Sequence, residues 1–236
     1  MLRETIRYTF TLPDETREVF SFDLDTQKLE IMGDPTVIFP PWTRLTFEQC
    51  SNCPLTPATH PLCPLAATIA PIVNRFDGIL SYETVHLVVE TAERRISQET
   101  TAQRAIGSLM GLVIATSGCP HTAYFKPMAR YHLPLASREE TVFRATGSYF
   151  LAQYFLTREG KTGSLDISGL QAIYQRMQVV NRSIVRRIRS ATETDVSVNA
   201  IVVLDIFART LDMVIHEALD KIRYLFDPYF RDSQST

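Results

Sequence analysis

The chain carries four cysteines, Cys50, Cys53, Cys63 and Cys119, and together they could supply the four thiolates of one metal site. Cys50 and Cys53 form a C-x₂-C pair, whose two intervening residues allow a tight turn that aims both sulfurs inward. The full spacing of x₂, x₉ and x₅₅ fits neither a zinc ribbon with its second C-x₂-C pair nor the compact cysteine run of bacterial ferredoxins. Cys53, Cys63 and Cys119 each precede a proline, which stiffens a turn and adds no donor. Zinc is the favoured occupant and an iron–sulfur cluster the alternative. A site closed by four thiolates leaves no position for water and is therefore structural.

His60 and His121 lie beside the cysteines in sequence, and either could replace one as a ligand. Past Cys119 the stretch Lys126-Pro-Met-Ala-Arg130-Tyr-His132 brings two cations and a titratable ring close together, a candidate cofactor-binding patch for an anion such as phosphate. Ion-paired surface residues would give the same string. Tyr124, Phe125 and Tyr131 could line a pocket there and are more simply core. Arg182, Arg186 and Arg189 share a helix face with Arg187 nearby, a stripe that pairs with acids more readily than it reads nucleic acid. Asp205, Arg209, Asp212 and His216 form a polar face without the Glu-x-x-His pairs of a carboxylate-bridged metal site. There is no Walker loop, dinucleotide fingerprint, Gly-x-Ser-x-Gly elbow or His-Glu-x-x-His motif.

These residues must be positioned by a fold of ordinary composition: 236 residues, 45% hydrophobic and 21% charged, enough for a substantial core. A net charge of −2 gives no general drive toward nucleic acid or an anionic membrane. The first residues lack a basic segment followed by an apolar one, and no apolar run approaches the roughly 20 residues of a membrane span. A cytoplasmic, membrane-free location is the expectation, and reducing cytosol favours metal or redox chemistry over disulfides.

Apolar and polar residues alternate over Ile6 to Leu12 and again over Glu18 to Leu24, which predicts two strands joined at Pro13 to Thr16. A turn at Asp25 to Lys28 and a third strand at Leu29 to Ile31 complete an antiparallel meander, closed by Phe39-Pro-Pro-Trp42. Pro64 predicts a helix start with Cys63 at its N-cap, and Pro71 a kink or stop. Tyr82 to Thr91 fits strand or helix; its β-branched content favours the strand. A helix over Thr101 to Ser117 with Gly118 at C′ would release Cys119 just past its end. Ser137-Arg-Glu-Glu140 is a capping box opening the next helix. Two long helices, Ser168 to Ser190 and Asp195 to Phe226, are joined by a turn near Thr192 to Thr194. Ile201, Leu204, Ala208, Leu211, Ile215, Ala218 and Ile222 form a seam that resembles a coiled coil and is more simply buried in the chain's own core.

The expected fold is α+β: an N-terminal antiparallel meander, then a mainly helical body ending in a long antiparallel helix pair. Residues 1–48 form the β-rich module and 49–236 the cysteine-bearing body, unless the two make one continuous domain. The expected function is a non-enzymatic metal-binding protein of regulation or assembly, with Cys50, Cys53, Cys63 and Cys119 as a structural site. The alternative is an iron–sulfur or thiol redox enzyme or sensor, working through a low-pKa Cys63 or Cys119 beside Lys126, Arg130 and His132. A protein partner or self-association through the terminal helices is the remaining expectation.

Overall fold

The computed structural model describes residues 3–33, 38–76, 79–190 and 196–232, apart from the side chains of 74, 203, 207, 209–214 and 232. It is α+β: an antiparallel sheet followed by a largely helical body. The alternating residues of β1 (Arg3–Thr11) and β2 (Arg17–Asp25) pair in register, Ile6 opposite Phe22 and Tyr8 opposite Phe20. Because side chains alternate across a strand, Ile6, Tyr8, Phe10, Phe20, Phe22 and Leu24 all fall on the buried face. Asp14 shapes the first turn by accepting the Thr16 N–H at 3.0 Å, and Asp25 shapes the second by accepting from Gln27 and Lys28. The third strand, β3 (Glu30–Ile31), is only two residues long.

Two strands from later in the chain extend this meander. The ambiguous segment is a strand, β4 (Thr84–Glu90), as its β-branched residues indicated; it pairs antiparallel with β1, Phe10 opposite Leu87. The strand after it, β5 (Arg95–Thr101), had no alternation to announce it: it is an edge strand, mostly exposed, and holds its place by pairing with β4. The sheet order β3-β2-β1-β4-β5 therefore crosses the 48/49 boundary, and the β-rich start shares one sheet with the middle of the chain.

Helices α1 (Pro64–Val73) and α2 (Ala102–Ala115) bury their apolar faces in the same core as the sheet. Phe10 is its aromatic centre, edge-on to Phe76 at 4.9 Å and to Phe20 at 5.9 Å between ring centroids. The carbonyl of Cys63 accepts the N–H of Ala67, so Cys63 stands at the N-terminal boundary of α1. Pro71 does not stop the helix, which runs two residues further before tightening into a 3₁₀ turn over Asn74–Phe76. On α2 the cap is Thr116, and Gly118 lies one position beyond C′ with φ of 81°, a conformation that glycine adopts without strain.

A short α3 (Lys126–Arg130) leads to α4 (Arg138–Arg158), which opens on the expected capping box: Ser137 accepts the Glu140 N–H at 3.1 Å, and Glu140 accepts that of Ser137 at 2.7 Å. Such a cap contributes about 1 kcal/mol. The long helices α5 (Ser168–Arg189) and α6 (Val196–Ile222) pack together, and α6 also packs on α2 and α4. Ile201, Ala208, Ile215 and Ile222 are each at most 3% exposed, so the seam is used within the chain. The helix ends before the expected Phe226, where a 3₁₀ turn leads into α7 (Asp227–Asp232). The expected turn at Thr192 to Thr194 and the side chains of Arg209, Leu211 and Asp212 lie outside the described residues. Among the described residues no helix is long and apolar enough to cross a membrane.

Candidate functional site

All four cysteines belong to one junction between the sheet core and α5. Cys63 is a member of the main core, and Cys50, Cys53 and Cys119 pack against it. The C-x₂-C pair forms the tight turn that its spacing requires, the Cys53 N–H bonding the Cys50 carbonyl at 3.0 Å. The Cys63 N–H bonds Thr43 at 2.8 Å, which fixes the third cysteine beside the segment before the pair. Cys119 arrives from the far side of α2, held by a ring–carbonyl bond: His121 Nε2 donates to the carbonyl of Asn52, between Cys50 and Cys53, at 2.7 Å. The proposed role of His121 as a substitute ligand is thus occupied at Nε2, and His60 is exposed with its ring on Thr59.

The sulfurs act on one another electrostatically. Burial pushes the Cys50 thiol above its ordinary value, Cys63 and Cys53 add to the rise, and a Ser183 hydrogen bond and the charge of Arg187 work against it. Burial also pushes Cys119 up, to about 11; the backbone N–H groups of His121 and Thr122 at its sulfur oppose this, while Cys63 and Cys50 reinforce it. Cys119 is therefore a protonated thiol at neutral pH in the metal-free protein, which corrects the expectation of a low-pKa nucleophile there. Among the described residues no three His, Cys, Asp or Glu side chains are grouped tightly enough to hold one metal ion. No disulfide links the cysteines.

Arg187, which the sequence placed beside the basic stripe of α5 with acidic partners expected, is instead only 1% exposed. Its guanidinium donates to the carbonyls of Trp42 at 2.6 Å, Arg44 at 2.9 Å and Leu45 at 3.2 Å, fastening α5 to the loop that precedes the cysteine pair. Its Nε has no partner, and its charge is felt by Cys63, Cys50 and Cys53. A signal was present in the sequence: Arg187 falls between Ile184 and Ile188 on the apolar stripe of α5, where a charge must find buried partners. Its neighbour Arg186 is a surface residue paired with Glu48 at 2.5 Å.

The Lys126, Arg130 and His132 patch is not assembled as three free donors. Lys126 pairs with Glu30 at 2.8 Å and bonds the Lys28 carbonyl, and Arg130 pairs with Glu4 at 2.7 Å. His132 bonds the hydroxyl of Tyr8, and desolvation followed by the charge of Arg144 lowers its pKa to about 3. The surface that His132 retains faces the two cavities it lines, one of them shared with Arg130 and Glu4. Of the nearby aromatics, Phe125 packs edge-on to Tyr174 at 5.3 Å, and Tyr124 and Tyr131 are exposed.

A family described as a domain of unknown function (DUF6901) matches residues 6–227, and the chain belongs to that family. No curated protein and no solved structure matches the chain.

Proposed function

We propose that this member of the family is a metal-binding protein whose Cys50, Cys53, Cys63 and Cys119 thiolates hold a structural metal centre. The observation that carries this reading is the packing of thiols from three separated segments at one core, with Cys63 and Cys50 acting on Cys119 and with Cys50, Cys53 and Cys63 close enough to act on the buried Arg187. Four thiolates leave any bound centre net negative, and a buried negative centre requires a nearby cation. Arg187 meets that need, with an unpartnered Nε in the same region. The sulfurs also have hydrogen-bond donors, Ser183 at Cys50 and the N–H groups of His121 and Thr122 at Cys119, which stabilise thiolate ligands.

Zinc stays the favoured occupant, with an iron–sulfur cluster as the alternative. One zinc ion with Zn–S bonds of about 2.3 Å needs its sulfurs drawn to roughly 3.8 Å of one another. Among the described residues the donors are not grouped so tightly, so metal binding would draw the cysteine segments together. With all four thiolates engaged, the centre ties the chain together, in keeping with a non-enzymatic role in regulation or assembly.

The test is anaerobic purification of the full chain, followed by iron, zinc and acid-labile sulfide analysis and a visible spectrum. Colourless protein holding one zinc is the expected result, and Cys53→Ser and Cys119→Ser should each lower metal content and thermal midpoint together. Iron with acid-labile sulfide and a broad visible absorption would replace zinc by a cluster at the same four ligands. Metal-free protein that gains neither metal on reconstitution, and full metal occupancy in both variants, are the results that would overturn the reading.

A further inference from the structure

A second site, independent of the cysteines, lies between α2, α4, α5 and α6. It is a cavity of about 590 Å³ with mostly apolar walls, within the size range of small-molecule sites. On α2 the lining residues Arg104, Gly107, Ser108 and Gly111 follow one helix face. The two glycines create much of the room. Among the described residues, a Cβ at Gly111 would meet nothing within 4 Å, and one at Gly107 only the Ala200 carbonyl at 4.0 Å. Glycine in a helix interior costs about 1 kcal/mol relative to alanine, and among the described residues no neighbour demands it at Gly111. The space that it leaves is the cavity itself.

The polar lining has one sign of charge. Arg104, Arg138 and Arg144 line the cavity, and no aspartate or glutamate does among the described residues. Arg104 donates to the carbonyl of Leu135 at 3.1 Å, and Arg144 to those of Met128 and Tyr131 at 2.5 and 2.8 Å. Among the described residues none of the three has a carboxylate partner in an ion pair. Glu140, one turn before Arg144, influences it but bonds the Ser137 N–H, and Glu217 acts on Arg138 electrostatically without an ion pair. Arginines elsewhere on the surface, Arg75, Arg130 and Arg186, do pair with glutamates.

The wall is also held under strain. Leu135 has φ of 57°, a left-handed conformation costly for a leucine by about 1 kcal/mol or more. Both ends of its backbone are secured from α2: its N–H bonds Ser108 Oγ at 3.0 Å, and its carbonyl accepts from Arg104. Ser108 and Arg104 thus shape the cavity wall as well as line it.

We infer that this cavity binds a small amphiphilic carboxylate, its apolar body beside Gly107 and Gly111 and its carboxylate met by the guanidinium groups of Arg104, Arg138 and Arg144. Arginine presents a planar fork that matches a carboxylate. An uncharged ligand of the same shape would gain nothing from the positive charge of those groups. A cationic ligand would be repelled.

The experiment is calorimetric titration of the full chain with decanoate, naphthalene-2-carboxylate, decan-1-ol and decylammonium. At least one carboxylate should bind about ten-fold more tightly than decanol, and decylammonium should not bind. Gly111→Leu fills the cavity and should abolish carboxylate binding while the thermal midpoint holds or rises. Arg138→Gln, at an exposed position, should weaken carboxylate binding several-fold and leave decanol unchanged. Binding of neither carboxylate at millimolar concentration, equal affinity for decanoate and decanol, or undiminished binding in a folded Gly111→Leu variant would overturn the inference.

Discussion

Nη1 of Arg187 donates to the carbonyl of Trp42 at 2.6 Å, joining residues 145 positions apart. With its bonds to Arg44 and Leu45, this one side chain fastens the penultimate long helix to the loop from which the cysteine pair emerges. The junction therefore has a covalent-chain component, a guanidinium component and, in the proposed function, a metal component.

Arg187→Met should destabilise the protein by on the order of 3 kcal/mol, because three buried carbonyls lose a charged donor at once. Arg187→Lys restores the charge but not the planar fork and should recover only part of the loss. Urea unfolding checks both; an unchanged midpoint in Arg187→Met would show that the carbonyls find other partners. In metal-loaded protein the methionine variant should also hold less metal, since the cation beside the thiolates is gone.

In the metal-free protein, Cys119 should resist alkylation at pH 8. Its folded pKa of about 11 lies above the ordinary 9.0, so the neutral thiol is the form that the fold favours. The sign follows from linkage: this contribution to stability is complete below pH 9.0 and is lost as pH rises through about 11. Alkylation followed by peptide mapping measures the first. Rapid modification of Cys119 in folded, metal-free protein at pH 8 would contradict it.

His132 should remain neutral well into the acid range. Its pKa is lowered from 6.5 to about 3, so its contribution is complete above pH 6.5 and is lost as pH falls through about 3. A buried tyrosine, Tyr8, whose own pKa is pushed well above the ordinary value chiefly by burial, supplies its hydrogen-bond partner. His132→Gln keeps a polar partner without the titration, and should flatten the acid loss of stability seen by chemical unfolding between pH 6.5 and 4. An imidazole signal assigned to His132 that titrates near pH 6.5 would contradict the burial argument.

The local elements were legible because their signals are local. Alternation in Ile6 to Leu12 and Glu18 to Leu24 requires a half-buried strand wherever it packs, and Ser137 with Glu140 satisfies helix N–H groups within one turn. The apolar seam of α6 likewise required a buried partner, although it could not say that α2, α4 and α5 supply it. Strand β5 was illegible since an exposed edge strand has no buried face to leave a pattern; only its pairing with β4 defines it.

The cysteines divide in the same way. Sequence by itself determined that Cys50 and Cys53 turn tightly together, that Cys63 stands before a helix and that Cys119 follows one, because each statement concerns a few neighbouring residues. Tertiary structure alone decided that these places coincide, through the His121 bond to Asn52 and the reach of Arg187. It also decided that Lys126 and Arg130 pair with Glu30 and Glu4 on the sheet, and that among the described residues no atom stands within 4 Å of a Cβ at Gly111. The reason is physical: desolvation and pairing depend on what the rest of the chain brings to a side chain, and residues 27 to 145 positions apart carry no mark of their future neighbours in local spacing.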